Sequence, residues 1–241
     1  MLQVAHPLVA AGVAQHSDYT SDPWGRLFRT LDLMVKLAFG SPDVSDRQLR
    51  RLLATHRRVA GVAPGGVPYR ALDPMLMMWV MATLVDTSLL VYERVFGALS
   101  PPDRERYYQE SRGSALAMGI AADVVPGSWT EFEGYIDEIV ATELRVTPEA
   151  DAVARATFAV ARPPMIGPLV GRISRLFAAG LLPPSIRNAY GLAWNQRAER
   201  RLDRAFAVAR TVSRITPARV RRFPLTYVAR RPLPRLAPAA R

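Results

Sequence analysis

Residues 49–61 read Leu49-Arg50-Arg51-Leu52-Leu53-Ala54-Thr55-His56-Arg57-Arg58-Val59-Ala60-Gly61. The apolar side chains recur at the i, i+3, i+4, i+7 spacing of one buried helix face, and a histidine belongs to the series: Leu49, Leu52, Leu53, His56 and Val59 or Ala60. The four arginines fall on the other faces. The pattern predicts a helix with His56 directed inward, so the main question is what this imidazole binds.

Helix signals surround this stretch. Asp22 and Pro23 fit an N-cap and a first helical position, and they open a helix with an apolar stripe that Gly40 ends. Ser45-Asp46-Arg47-Gln48 fits a capping box for the His56 helix, with Gly61 as its stop. Asp73 and Pro74 repeat the cap and proline before the apolar helix Met75–Phe96. The linker between the His56 helix and this apolar helix contains Gly65-Gly66. These glycines are too weak a signal for a phosphate loop, because no strand is predicted before them.

Helical segments fill the remaining sequence. Ser128-Trp129-Thr130-Glu131 is a second capping box, and further helices are expected near residues 2–15, 101–110, 131–144, 148–161, 166–179, 185–190 and 193–213. No pair of strands with a hairpin turn is predicted. The fold class is therefore all-α, a multi-helix bundle, with one domain over residues 1–215 and an Arg/Pro-rich basic tail over residues 216–241.

Composition excludes several classes of protein. The chain has no cysteine and three histidines, which excludes thiolate ligands and disfavours a multi-histidine metal cage.

No signal peptide is recognised. The apolar run Met75–Val85 is shorter than a bilayer span, so we expect no transmembrane segment and a cytoplasmic location. The first helix begins without a cap, so we expect the N-terminus to be short.

The net charge of +11 is concentrated at one end of the chain. Residues 197–241 hold thirteen arginines against Glu199 and Asp203, whereas residues 1–196 sum to zero. A solvated helix face and a basic tail explain this as well as nucleic-acid binding does, so no nucleic-acid partner is expected. The alternative predicts salt-dependent binding that is lost without residues 216–241.

Four positions carry the candidate chemistry, each with an ordinary structural interpretation. His56 is either a hydrogen-bonded core residue or the ligand of a five-coordinate haem. Arg26 and Thr30 lie four residues apart. In the ordinary interpretation, Arg26 forms a surface ion pair and the Thr30 hydroxyl bonds to its own backbone. In the other, Arg26 supplies a cation and Thr30 a hydroxyl donor in the haem site. Asp86 interrupts an apolar helix and needs a partner such as an arginine or His56. The methionines around Met81 are expected to fill the core.

The sequence resembles the family of MpaB-type oxygenases and latex-clearing rubber oxygenases over nearly its whole length. The segments that carry the resemblance include His6–Ser17, Asp22–Thr30, His56–Gly61, Tyr69–Pro74, Trp79-Val80, Tyr107–Glu110 and Leu192–Trp194. The resemblance implies a bundle with a globin-like core around haem b. It implies His56 as the proximal, metal-binding ligand, and Arg26 and Thr30 as residues that bind the cofactor and act in the distal pocket.

Three departures from the family pattern limit what can be transferred. Rubber oxygenases have a distal glutamate, and the segment 2–15 contains no carboxylate. Many relatives have histidine where this chain has Met81, and Arg29 stands where rubber oxygenases can have lysine. The first hypothesis is a haem-dependent oxygenase or oxidase that acts on an apolar organic substrate with dioxygen. The second is a non-catalytic helical protein that binds haem or a hydrophobic ligand.

Overall fold

The computed structural model of the chain describes residues 1–17, 23–158 and 167–220. In these ranges a short 3-10 helix, Gln3–Ala5, precedes ten α-helices and one two-stranded hairpin. The elements are α1 Pro7–His16, α2 Pro23–Phe39, α3 Pro42–His56, β1 Ala60–Val62, β2 Pro68–Arg70, α4 Pro74–Phe96, α5 Pro101–Ala117, α6 Trp129–Thr142, α7 Pro148–Phe158, α8 Gly167–Leu181, α9 Pro184–Ala189 and α10 Gln196–Ile215. The all-α, multi-helix class is confirmed. The division into a domain of residues 1–215 and a tail stays a prediction, and residues 221–241 lie outside the described ranges.

Helix α4 forms the centre of the largest hydrophobic core. Its buried side includes Met78, Trp79, Ala82 and Val85, which pack with side chains from the N-terminal segment, α5, α6, α8 and α9. Trp79 is 1% exposed, and its indole nitrogen donates to the carbonyl oxygen of Gln3 at 3.1 Å. The core therefore joins α4 directly to the start of the chain.

The length of α4 agrees with the predicted helix Met75–Phe96, and it bears on the expectation that the chain has no transmembrane segment. The helix extends past the apolar run Met75–Val85 to Phe96. By length and composition it is the one helix among the described residues that could cross a membrane. Of its most apolar 18-residue window, 39% is buried inside the protein. The core contacts of α4 are those of a central bundle helix. That the chain has no transmembrane segment stays a prediction.

Two of the predicted helix starts are confirmed by their cap hydrogen bonds. A carboxylate oxygen of Asp73 accepts from the backbone N–H groups of Met75 and Leu76, with Pro74 at the first helical position. At α6, the Ser128 hydroxyl accepts from Glu131 N–H at 3.3 Å, while Glu131 accepts from Gly127 N–H at 2.7 Å. The expected cap at Asp22 lies outside the described residues.

The predicted bounds of α3 are wrong at both ends. The helix begins after Ser41, with Pro42 as its first residue, and it ends at His56 rather than at Gly61. The Ser45 hydroxyl does not cap α3, because it donates to the carbonyl oxygens of Lys36 and Leu37 at the end of α2. Ser45 therefore adds a side-chain donor to carbonyls in the last turn of α2, where the Lys36 carbonyl also accepts from Gly40 N–H at 3.1 Å.

The first predicted helix, residues 2–15, is divided in two. His6 adopts extended backbone angles between the 3-10 helix and α1. Its Nδ1 accepts a hydrogen bond from Leu8 N–H at 3.3 Å, so the imidazole is the N-cap of α1. Pro7 at the first helical position needs no hydrogen bond, which explains why α1 starts there.

Strands β1 and β2 form an antiparallel hairpin that the sequence analysis did not predict. The register pairs Ala60 with Arg70, Gly61 with Tyr69 and Val62 with Pro68. Gly65 and Gly66 form its turn with φ angles of 93° and 84°, values that favour glycine. A strand does precede these glycines, but the chain returns as a second strand, so the segment is a hairpin turn and not a phosphate loop.

Lowering the pH from about 7.5 to about 5.5 is expected to destabilise the protein through His6. Burial lowers the pKa of His6 below its ordinary value of 6.5, while Glu143 and Asp73 act in the opposite direction. The unfolded chain therefore takes up the proton first. The contribution to stability is complete above pH 6.5 and is lost as the pH falls from there through the lower folded-state pKa.

Urea unfolding of the wild type and of His6→Asn at several pH values tests this expectation. Asparagine keeps a cap acceptor but does not titrate, so its pH dependence below about pH 6.5 should be shallower than that of the wild type. Parallel curves for the two proteins would show that His6 is not responsible.

Candidate functional site

His56 is the last residue of α3, and its hydrogen bond defines its tautomer. Nδ1 lies 2.9 Å from the carbonyl oxygen of Leu52. Because a carbonyl only accepts, Nδ1 carries the proton, and in the neutral ring Nε2 keeps its lone pair. This is the arrangement in which histidine binds a metal through Nε2, with the other nitrogen fixed by a backbone carbonyl.

The ring is less buried than the helical pattern predicts. His56 is half-buried, as are Leu49, Leu52 and Leu53 on the same face of α3. It lines a pocket of about 390 Å³ between the end of α3 and the hairpin, together with Arg57, Val59, Ala60, Arg70 and Leu72. This volume lies within the range of small-molecule sites, about 300–1,000 Å³.

The polar and apolar groups of this pocket differ in exposure. Val59 and Leu72 are half-buried, whereas Arg57 and Arg70 are exposed. Arg57 follows His56 directly, and the hairpin brings Arg70 back because β2 pairs it with Ala60. The pocket therefore combines one imidazole and aliphatic side chains with two exposed guanidinium groups.

The C-terminal end of α1 holds the hairpin wall of the pocket. Gln15 donates to the carbonyl oxygen of Val62 at 3.1 Å and accepts from the Tyr69 hydroxyl at 2.6 Å. Nε2 of His16 lies 3.2 Å from the carbonyl oxygen of Ala60, so His16 donates to the hairpin. A Cβ at Gly61 would lie 2.6 Å from the Gln15 amide oxygen, so a larger residue there would displace the Gln15 amide.

The donor set of the pocket fits a haem b group. A porphyrin supplies four nitrogen ligands, so the protein needs to provide one imidazole, here His56. Guanidinium groups such as those of Arg57 and Arg70 pair with carboxylates, the chemistry of the two propionates. No group of three or more His, Cys, Asp or Glu residues that could hold a bare metal ion is found among the described residues.

Arg26 and Thr30 both lie on α2, which packs on α3. The hydrogen bond from the Ser45 hydroxyl to the Lys36 carbonyl places Ser45 and Lys36 side by side near the α2–α3 connection. The Arg26 side chain lies outside the described residues. Thr30 is exposed and is not one of the described residues that line the pocket.

Lys36, the single lysine of the chain, fixes the α2 side of this helix pair. Its side chain is 1% exposed and lies 2.8 Å from a carboxylate oxygen of Asp32, one turn earlier. A buried ammonium requires such a partner, because desolvation of an unpaired charge is costly. The ion pair thus supports α2 at the level where it meets Ser45.

The prediction that Asp86 pairs with an arginine or with His56 is wrong. No ion pair or hydrogen bond joins Asp86 to an arginine or to His56 within the described part of the chain. Burial raises the pKa of Asp86, and the carboxylates of Asp137 and Glu133 on α6 raise it further. The raised pKa means that the half-buried carboxyl of Asp86 favours its neutral form. A neutral carboxyl costs less to bury than a carboxylate.

Other predicted interpretations agree with the structure. Met81 packs against the main core, as expected of a gap-filling methionine. Asp73 is a helix cap.

Sequence reasoning missed the residues that complete the pocket after His56. Arg70 and Leu72 lie fourteen and sixteen positions further along the chain and reach the pocket through the hairpin. The available signal was Gly65-Gly66 between two short β-branched and aromatic segments, which is a hairpin pattern. Each strand has three residues, which is too short for alternation to be recognised.

Comparison with known proteins identifies the family. Residues 1–211 match the catalytic domain described as ER-bound oxygenase mpaB/B'/rubber oxygenase, and the chain belongs to this family. The family is an oxygenase catalytic domain, which suggests a small-molecule substrate and dioxygen as reactants.

Two similar relatives are mycobacterial proteins whose names state no activity. They are the uncharacterized proteins Mb2261 of Mycobacterium bovis and Rv2237 of Mycobacterium tuberculosis. Each is 28% identical over 234 residues, which cover 91% of this chain and 88% of the relative. No solved structure matches the chain.

Proposed function

We propose that this protein is a haem b-dependent oxygenase or oxidase that acts on an apolar organic substrate with dioxygen. His56 is the proximal iron ligand in this proposal. The observation that carries it is the hydrogen bond from His56 Nδ1 to the Leu52 carbonyl, which leaves the Nε2 lone pair for the iron beside the pocket that His56 lines. The family membership supports the oxygenase class.

The residues around His56 have separate roles in the proposal. The Leu52 carbonyl holds the ring orientation and keeps the proton on Nδ1. Arg57 and Arg70 would pair with the propionates, and Val59 and Leu72 would contact the apolar macrocycle. Bound haem b would supply the redox chemistry that activates dioxygen.

Arg26 and Thr30 are proposed to act on the opposite side of the cofactor. The guanidinium would pair with a propionate or orient dioxygen, and the Thr30 hydroxyl would donate a hydrogen bond there. The family resemblance supports this assignment, and both residues belong to α2. The globin-like core that the family resemblance implies belongs to the same proposal.

The location and the partners belong to the same proposal. We propose a cytoplasmic location. No nucleic-acid partner is proposed, because residues 1–196 carry no net charge. Substrate selection by an apolar surface agrees with the aliphatic groups in the pocket.

Oxygen consumption by haem-loaded protein tests the catalytic part of the proposal. We expect uptake with isoprenoid or aromatic substrates that requires both haem and substrate. Thr30→Val and Arg26→Gln are expected to lower the rate at least about 100-fold, which is the lower range for loss of a positioned donor. Thr55→Ala, which removes a side-chain hydrogen bond to the Arg51 carbonyl in the last turn of α3 outside the pocket lining, serves as the control and should keep the rate.

Two outcomes would reject parts of the proposal. Haem binding without uptake for any substrate class would favour the non-catalytic binder, an alternative that the lack of a carboxylate in residues 2–15 supports. No haem binding by the wild type would reject the haem-dependent function altogether.

A further inference from the structure

Helix α10 exposes one continuous stripe that changes character along its length. The stripe follows the helical spacing through six exposed residues: Arg197, Arg201, Arg204, Val208, Val212 and Ile215. Its first half is basic and its second half aliphatic. Val208 is 62% exposed and Ile215 is 74% exposed, although neither side chain gains anything from contact with water.

The opposite side of α10 is fixed to the body of the protein. Leu202 and Phe206 are buried, and Phe206 packs edge-to-face on Phe177 of α8 with ring centroids 5.3 Å apart. Arg210 donates from Nε to the Val95 carbonyl at 3.0 Å and from Nη2 to the Arg94 carbonyl at 2.9 Å. These contacts attach α10 to the end of α4 and leave the stripe facing outward.

The arginines of the stripe are available for a partner. None of Arg197, Arg201 and Arg204 forms an ion pair with an acidic residue in the described ranges, whereas Arg94 pairs with Asp203. By sequence, residues 221–241 add six arginines and no acidic residue. Positive charge and exposed aliphatic surface therefore occur together at this end of the chain.

We propose that the α10 stripe docks on a lipid bilayer that contains anionic lipids. Val208, Val212 and Ile215 would enter the acyl boundary, while Arg197, Arg201 and Arg204 would lie among the anionic headgroups. A helix with aliphatic residues and arginines on its outward side has the composition of an interfacial helix. The charge of the stripe is complementary to such a surface, and no transmembrane segment is needed.

The aliphatic half of the stripe favours a bilayer over nucleic acid. Arginines alone would serve either polyanion. Nucleic-acid surfaces are contacted mainly by polar side chains at phosphates and by aromatic or guanidinium planes at bases. Three aliphatic residues in line have no role there, but they are what an acyl boundary takes up.

Vesicle co-sedimentation of the full chain tests the proposal. We expect binding to phosphatidylcholine vesicles that contain about 30% phosphatidylserine, weak binding to phosphatidylcholine alone, and loss of binding as salt rises. The triple variant Arg197→Gln/Arg201→Gln/Arg204→Gln should bind about fivefold more weakly per arginine removed. Val208→Ser/Val212→Ser/Ile215→Ser should also weaken binding, by up to about tenfold for each fully inserted side chain.

A variant of matched charge separates the stripe from net charge. Arg47→Gln/Arg106→Gln/Arg155→Gln removes the same charge from exposed positions on α3, α5 and α7. Equal losses for this control and for the stripe arginines would overturn the proposal, as would a serine variant that binds like wild type. Preference for duplex DNA or RNA over the vesicles, unaffected by the serine changes, would also overturn it. Circular dichroism confirms that the variants are folded.

Discussion

Replacing His56 with alanine is expected to abolish stable haem binding. Loss of an outer-shell partner alone typically costs about 10–100-fold in metal affinity, so loss of the iron ligand should cost more than about 100-fold. Titration of the wild type and His56→Ala with haem, followed by the Soret absorption, measures both affinities. Haem bound by His56→Ala with wild-type affinity would reject His56 as ligand.

Structural damage is not expected to explain this loss. His56 is half-buried, and its one described hydrogen bond is to the carbonyl of Leu52 in its own helix. Removal of such a bond lowers the free energy of unfolding by about 1 kcal/mol. Thr55→Ala provides the matched control, because it also removes a side-chain hydrogen bond to a carbonyl one turn earlier in α3, and should leave haem affinity unchanged.

The second large effect is expected at Trp79, in the core around α4. Trp79→Ala should lower the free energy of unfolding by about 3–5 kcal/mol, because truncation of a buried tryptophan leaves a cavity. The Gln3 carbonyl also loses the indole donor at 3.1 Å. The total is a large part of a typical stability of about 5–15 kcal/mol. Urea unfolding monitored by circular dichroism measures the change.

Two variants distinguish the sources of this loss. Trp79→Phe keeps most of the ring but removes the hydrogen bond, so it should cost about 1–3 kcal/mol. Phe39→Ala truncates an aromatic side chain that is 61% exposed and should change stability by no more than about 0.5 kcal/mol. A Trp79→Ala protein as stable as Phe39→Ala would contradict the central place of α4 in the core.

The fold could be predicted where local chemistry determines it. Two helices begin where a local side chain satisfies the first backbone N–H groups, whatever surrounds it. These starts are Asp73-Pro74 and Ser128 to Glu131. Ser45 has the same local signature, but its hydroxyl bonds to the end of α2 instead. A competing acceptor from another helix cannot be seen in a local pattern.

The hairpin could not be predicted for a related reason. Its strands have three residues each, and isolated hairpins of this size are at best marginally stable. The bonds that hold it come from Gln15 and His16, about fifty residues away in the sequence. Tertiary contacts therefore decide this element, which also forms one wall of the pocket.

The candidate site was predictable in part. The position of His56 in an apolar series indicated a special imidazole, and the structure adds the tautomer through the Leu52 carbonyl. The placement of Arg70 and Leu72 depends on the hairpin and was missed. The roles of Arg26 and Thr30 rest on family resemblance and stay predictions.

Resonance Raman spectroscopy of the ferrous haem-loaded protein tests the central claim most directly, because an iron–histidine stretching band reports the proximal bond itself. We expect the band in the wild type and in Thr55→Ala. It should be absent in His56→Gly and return when imidazole is added, since the small ligand can occupy the vacated space. An unchanged band in His56→Gly without imidazole would show that another residue ligates the iron and would contradict the account.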